Sequence, residues 1–158
     1  MYMAGTTRRR RNKASLHPRH MTPDKDFTPL PLSEGDELFP NGIFEFNITK
    51  MLAYIEADSG GFPAGETEVA PLRSISPERL DEKTIRHADV SKPILLAEIS
   101  PGRLNVIDGN HRVERAAREG LKTIAARRIA AERHIVFLTS LRAYLAYIEY
   151  WNSKLIDT

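Results

Sequence analysis

The chain has 158 residues, long enough for one domain with its own core and too short for two ordinary ones. Hydrophobic residues make up 41% and charged residues 28%, a globular composition; cysteine is absent, which excludes a disulfide framework, a thiol nucleophile and cysteine-ligated zinc or iron–sulfur centres. The net charge of +2 divides unevenly. Residues 1–26 hold seven Lys/Arg (Arg8, Arg9, Arg10, Arg11, Lys13, Arg19, Lys25) against Asp24 and Asp26, or +5, and the remainder holds 16 against 19, or −3.

Residues 1–26 therefore read as a basic flexible tail, suited either to nucleic-acid phosphates or to plain solvation. No apolar run reaches the length of a transmembrane helix, and no apolar signal segment follows the basic start, so a cytoplasmic protein without membrane insertion is expected. Residues 27–158 would form the domain: an extended arm over 27–46, rich in proline, a core over 47–138 and a closing helix over 139–155.

In chain order, Asn47 caps a helix whose Ile48, Met51, Leu52 and Ile55 form an apolar stripe. A Gly-rich loop follows at 58–65, then a short strand at 69–75. Ser76-Pro77-Glu78 starts a helix running to about Arg86, with Ser76 as cap. Residues 93–99 are too continuously apolar for a strand with one wet face, so they belong mid-sheet. Pro101-Gly102 turns the chain into a partner strand at 103–107. A helix over 110–119 ends at Gly120, a strand spans 123–129, and Leu141, Tyr144, Leu145, Ile148 and Trp151 mark the apolar side of the final helix, leaving Tyr147 and Tyr150 free for a partner.

The chemistry concentrates at Asp108-Gly109-Asn110-His111-Arg112, where a strand passes directly into a helix. Unpaired amides and partial positive charge at the helix start favour an anion, and Gly109 lets it approach the backbone. Gly109 and Asn110 would offer amides, Arg112 a planar fork for two phosphate oxygens, and His111 a phosphate contact or proton shuttle. Asp108 would either hold Mg²⁺ through one oxygen or orient His111. The same residues also fit a purely structural turn, in which Asp108 caps the helix and His111 and Arg112 face solvent. Lys92, near His87 and Asp89 in the preceding loop, can reach a terminal phosphate. Arg115, Arg118, Arg127 and Arg128 together would extend a surface for DNA, although Glu114, Glu119 and Glu132 interleave with them. Glu45 and Glu56 are possible general bases.

Residues 107–124, Ile-Asp-Gly-Asn-His-Arg-Val-Glu-Arg-Ala-Ala-Arg-Glu-Gly-Leu-Lys-Thr-Ile, resemble the phosphate motif of the ParB/sulfiredoxin superfamily: a Gly-x-(basic)-Arg turn, an Ala-rich helix, then Gly-Leu-x-Thr-(Val/Ile) into a strand. Pro71-Leu72-Arg73-Ser74-Ile75 and Lys92-Pro93-Ile94-Leu95-Leu96 resemble its earlier strands. The resemblance implies an α/β (α+β) single domain, a mixed sheet flanked by helices, with a nucleotide pocket in which the loop around Lys92 borders the ligand. The superfamily's branches include CTP-driven DNA clamps, ATP-dependent repair of oxidised thiols, free amino-acid kinases, and small ATPase or nuclease proteins.

Asn110 stands where sulfiredoxins carry cysteine and partition proteins carry glutamate, which argues against thiol repair and puts CTP in doubt. Only about 30 residues follow the last motif strand, which argues against a full partition protein. The Asp-Gly-x-His-Arg form is similar to the kinase and small ATPase/nuclease branches, which include compact plasmid proteins that inhibit conjugative transfer. The leading expectation is thus a Mg²⁺-dependent ATPase with DNase activity in DNA transfer or maintenance, Asp108, His111 and Arg112 being catalytic. Its rivals are a non-catalytic nucleotide sensor that inhibits a protein of a DNA-transfer system, and a free serine kinase.

Overall fold

The computed structural model describes residues 16–74 and 76–155. The arginine run Arg8–Arg11, on which the nucleic-acid expectation for the tail rests, lies outside them. Within the expected arm the chain forms a hairpin: β1 (Leu38–Asn41) and β2 (Phe44–Asn47) pair antiparallel around the two-residue turn Gly42-Ile43. Pro40 is tolerated there because a two-stranded ribbon has only edges. Helix α1 (Ile48–Ala57) begins as expected, the Asn47 side chain accepting from the Lys50 amide at 3.0 Å. It buries Ile48, Met51 and Ile55.

The central sheet has four strands in the order β3–β6–β4–β5. Strand β3 (Gly65–Glu68) occupies one edge, antiparallel to β6. It replaces the expected strand at 69–75, where Ala70–Leu72 instead makes a 3₁₀ turn. Pro71 lacks the amide a strand needs, and Val69 is the residue buried as the chain leaves the sheet. Pro77–Arg79 is likewise a 3₁₀ turn, so α2 (Glu82–His87) starts later than expected, and its cap is Asp81, not Ser76.

Strand β4 (Ile94–Ser100) lies mid-sheet, antiparallel to β5 (Arg103–Asp108) and parallel to β6 (Thr123–Ile129). It is buried on both sides. Leu95, Ala97 and Ile99 face a core shared with α1 and the final helix, while Ile94 and Leu96 face Val113 and Ala116 of α3 (Asn110–Arg118). The parallel β4–β6 pair, in which α3 lies on the crossover, makes the sheet mixed and places a helix start at the end of β5. Helix α3 ends at Gly120, φ +74°, with the Leu121 amide reaching back to the Ala116 carbonyl.

A short helix, α4 (Ala131–His134), leads to α5 (Leu141–Leu155). The buried stripe of α5 is Ala143, Tyr144, Tyr147, Ile148, Trp151 and Leu155, one position round from that expected; Leu141 and Leu145 are exposed, and Tyr147 is not free for a partner but fully buried. Tyr147 can go inside because its hydroxyl donates to the Ile99 carbonyl at 2.8 Å, which removes the cost of burying it.

The described part of the expected tail is not a loose leader. Residues 16–27 form a strap across α5. Arg19 lies between Glu98 (2.5 Å) and Glu132 (2.7 Å) and over the Trp151 ring (4.8 Å), and Trp151 Nε1 donates to its carbonyl. Met21 enters the core and exchanges two hydrogen bonds with the Asn152 amide group, and Phe27 stacks on Tyr144 with centroids 3.7 Å apart.

His134, at the end of α4, is 0% exposed. Its Nε2 donates to the Glu98 carbonyl at 2.6 Å, while Nδ1 has no partner among the described residues. Burial pushes its pKa down to about 4, against about 6.5 when unfolded. Because the folded value is the lower, the unfolded chain binds the proton first on acidification. The contribution is whole above about pH 6.5 and shrinks by up to about 3 kcal/mol as pH falls towards 4. Urea unfolding should thus give lower stability at pH 5 than at pH 7, with a flatter dependence in His134→Gln; an equally steep slope in that variant would assign the effect to other groups.

Candidate functional site: a cleft at the start of α3

Between α1 on one side and α2 with α3 on the other, over the N-terminal end of β4, lies a cleft of about 720 Å³. That volume suits a small-molecule ligand such as a nucleotide. Its lining includes Leu52, Ile55 and Glu56 of α1, His87, Asp89 and Lys92 before β4, Leu95, Asp108, Gly109, His111, Arg112 and Arg127. Asp108, Gly109, His111, Arg112 and Lys92 are therefore brought together as expected. Asn110 opens α3 beside the cleft but is not among its lining residues.

Gly109 is the N-cap of α3, with φ +104°, a left-handed conformation open to glycine. It has no side chain to cap the helix, and the first helical hydrogen bond is from the Val113 amide to the Gly109 carbonyl. The amides of the first turn therefore remain donors without a side-chain acceptor, beside the positive end of the helix dipole. A Cβ at Gly109 would stand 2.6 Å from Ile94 Cγ2, so the turn is also pressed against the sheet.

The side chains are more engaged than spacing suggested. Arg112 donates Nη2 to Asp108 Oδ2 at 2.7 Å and Nη1 to the Pro93 and Lys92 carbonyls at 2.7 and 3.3 Å. It ties β5, α3 and the loop before β4 into one rim. His111 Nε2 accepts the Asp81 amide at 3.2 Å, so its proton sits on Nδ1 and the ring holds α2 in place. Among the described residues, the hydrogen bond to the Asp108 carboxylate falls on Oδ2 and leaves Oδ1 open. One open carboxylate oxygen could take a single position on a hydrated divalent cation whose other ligands would come from outside the protein; among the described residues no trio of His, Asp and Glu forms a protein-only metal cage.

The four arginines expected to line a DNA surface do not all share one: Arg115 and Arg118 lie together beside α2, and Arg127 lines the cleft. Arg118 forks onto Glu82 (2.7 and 2.8 Å) and reaches Glu114, and Arg115 binds Glu119 and the Arg86 carbonyl. Arg127 turns into the cleft, and Arg128, its neighbour in β6, projects from the opposite face and is exposed. Glu114, expected on a solvated face, is 1% exposed; Arg73 grips it with two bonds (2.9 and 2.8 Å), and the two arginines hold its carboxyl below the usual range. The i,i+4 pair Glu114–Arg118 was the available signal. Glu45 accepts from Thr139 away from the cleft, whereas Glu56 lines it.

A search of curated proteins and a search of solved structures give no match. The family model of the ParB N-terminal domain matches residues 65–140, from β3 to the turn before α5, and so takes in the sheet, α3 and the glycine turn while leaving out the α1 wall of the cleft. Residues 65–140 are therefore similar to the ParB N-terminal domain, a likeness consistent with the ParB/sulfiredoxin superfamily.

Proposed function

We propose that the cleft binds a nucleoside triphosphate by its phosphates, with Mg²⁺, and hydrolyses it. The observation that carries this reading is the uncapped start of α3, opened by Gly109 onto a cleft of nucleotide size. The first-turn amides and Lys92 would hold phosphate oxygens, and Asp108 Oδ1 would take a metal position. Mg²⁺ would neutralise charge on the phosphates and leave positioning to the protein. Arg112 would act by holding the rim and lending its charge; His111, with its proton on Nδ1, can give that proton to a leaving oxygen. The family's link to DNA partition and nuclease proteins makes a DNA phosphodiester the neighbouring substrate class for the same grip.

The test is release of inorganic phosphate from ATP and CTP with Mg²⁺, with and without supercoiled plasmid, comparing the wild type with Asp108→Ala and Arg112→Ala. Turnover should be abolished in both, and ATP affinity should fall about tenfold in Arg112→Ala, since a charge-assisted hydrogen bond is worth about 1.5–3 kcal/mol. Nicked plasmid would add the nuclease activity, and phosphoserine formed on adding serine would redirect the reading to a kinase.

A second reading is favoured by the 2.7 Å pair between Asp108 and Arg112, which commits each group to the other before any ligand arrives. On that reading the domain senses a nucleotide without turning it over and acts on a protein of a DNA-transfer system. Binding without turnover in the same assay would select it.

A further inference from the structure

Four arginines among the described residues are half-buried: Arg19, Arg112, Arg115 and Arg127. The first three each meet a carboxylate, at Glu98 and Glu132, Asp108 and Glu119 respectively. Arg127 meets none, and its protein hydrogen bond runs from Nη1 to the Phe62 carbonyl at 2.8 Å. A guanidinium that has given up part of its hydration without gaining an anion is poised to take one from outside.

The strand register places this cation. Leu95 of β4 pairs with Arg127 of β6 on one side and with Asp108 of β5 on the other. Laterally paired residues project from the same face of a sheet, so Arg127, Leu95 and Asp108 form a row, and all three line the cleft. Neighbouring strands lie about 4.8 Å apart, which puts the backbones at the two ends of the row about 10 Å from each other. One phosphate seated on the α3 amides beside Asp108 occupies only one end.

We propose that Arg127 is the second cationic arm of the site and that the ligand is a chain of two or three phosphates lying over Leu95. The α3 amides hold one end of the chain, and Arg127 grips the other with its open nitrogens. This inference rests on the reading of the cleft as a phosphate site. It makes chain length the property the protein recognises: a monophosphate reaches one arm, and a polyphosphate reaches both.

The experiment titrates the full chain with AMP, ADP, ATP and inorganic tripolyphosphate, comparing wild type with Arg127→Ala and with Arg127→Gln, which keeps a donor for the Phe62 carbonyl. Wild-type affinity should rise with chain length. Both variants should lose about tenfold for ATP and tripolyphosphate, the loss of one charge-assisted bond, and change less than about twofold for AMP; Arg127→Lys should recover part of the loss. If a folded Arg127→Gln binds ATP as tightly as wild type, or loses AMP and ATP equally, the second arm is refuted and the phosphate site stands. If the wild type binds neither ATP nor tripolyphosphate, the phosphate site itself fails, and the arm with it.

Discussion

Replacing Gly109 with alanine is expected to destabilise the protein by about 3 kcal/mol and to abolish measurable nucleotide binding. Two costs add. The φ of +104° is one that L side chains rarely adopt, a strain of about 1–2 kcal/mol. The new methyl would also lie 2.6 Å from Ile94 Cγ2 and 3.0 Å from its Cβ, and Ile94 is wholly buried against α3, so overpacking adds about 1–3 kcal/mol. Where the backbone rather than Ile94 yields, the start of α3 shifts from its seat on the sheet and its amides lose their place at the cleft. Gly120→Ala is the control: its φ is +74° but its surroundings are empty, so only the strain remains and binding should be unchanged. Urea denaturation and ATP titration of the two variants measure both effects, and equal destabilisation would mean that Ile94 gives way.

Trp151→Ala is expected to cost about 4 kcal/mol, within the range for truncating a fully buried aromatic. The indole fills the core under the strap, supports the Arg19 guanidinium at 4.8 Å, and donates Nε1 to the Arg19 carbonyl at 3.0 Å. Its loss leaves Arg19 with Glu98 and Glu132 alone, so cleavage by trypsin after Arg19 should accelerate well before global unfolding. Trp151→Phe keeps most of the volume but not the donor, and should lose about 1–2 kcal/mol. Denaturant midpoints alongside a proteolysis time course read both. A strap no more cleavable in Trp151→Ala than in wild type would place its anchorage on Met21 and Phe27.

Much of the site was legible because local chemistry dictated it. Asp108-Gly109 before a basic, Ala-rich helix required a tight strand-to-helix turn, and β6, the Asn47 cap of α1 and the Gly120 end of α3 followed from residues with few alternatives. The failures came where tertiary context decided. Gly-Glu-Thr-Glu at 65–68 has the composition of a loop, yet an edge strand needs only one buried side and a partner, which β6 supplies. The β1–β2 hairpin was hidden by Pro40, although the Asn41-Gly42 dipeptide announced a turn. Residue spacing placed Arg115, Arg118, Arg127 and Arg128 on one surface, but it carries no information on which carboxylates will meet them. Glu82 and Glu114 claim Arg118, and the alternation of β6 separates Arg127 from Arg128.

The strap also orders events during synthesis. Met21 and Asn152, joined by two hydrogen bonds, stand 131 positions apart. At about 5–20 residues per second, the ribosome delivers the platform on α5 on the order of ten seconds after the segment that docks there. During that interval Arg19 and Met21 have no Trp151 or Asn152 to meet, while β4, β5, α3 and β6 are all contributed by residues nearer the start of translation than α5. The glycine turn and its sheet can thus form on the nascent chain before the strap locks, which makes strap closure a late step in maturation.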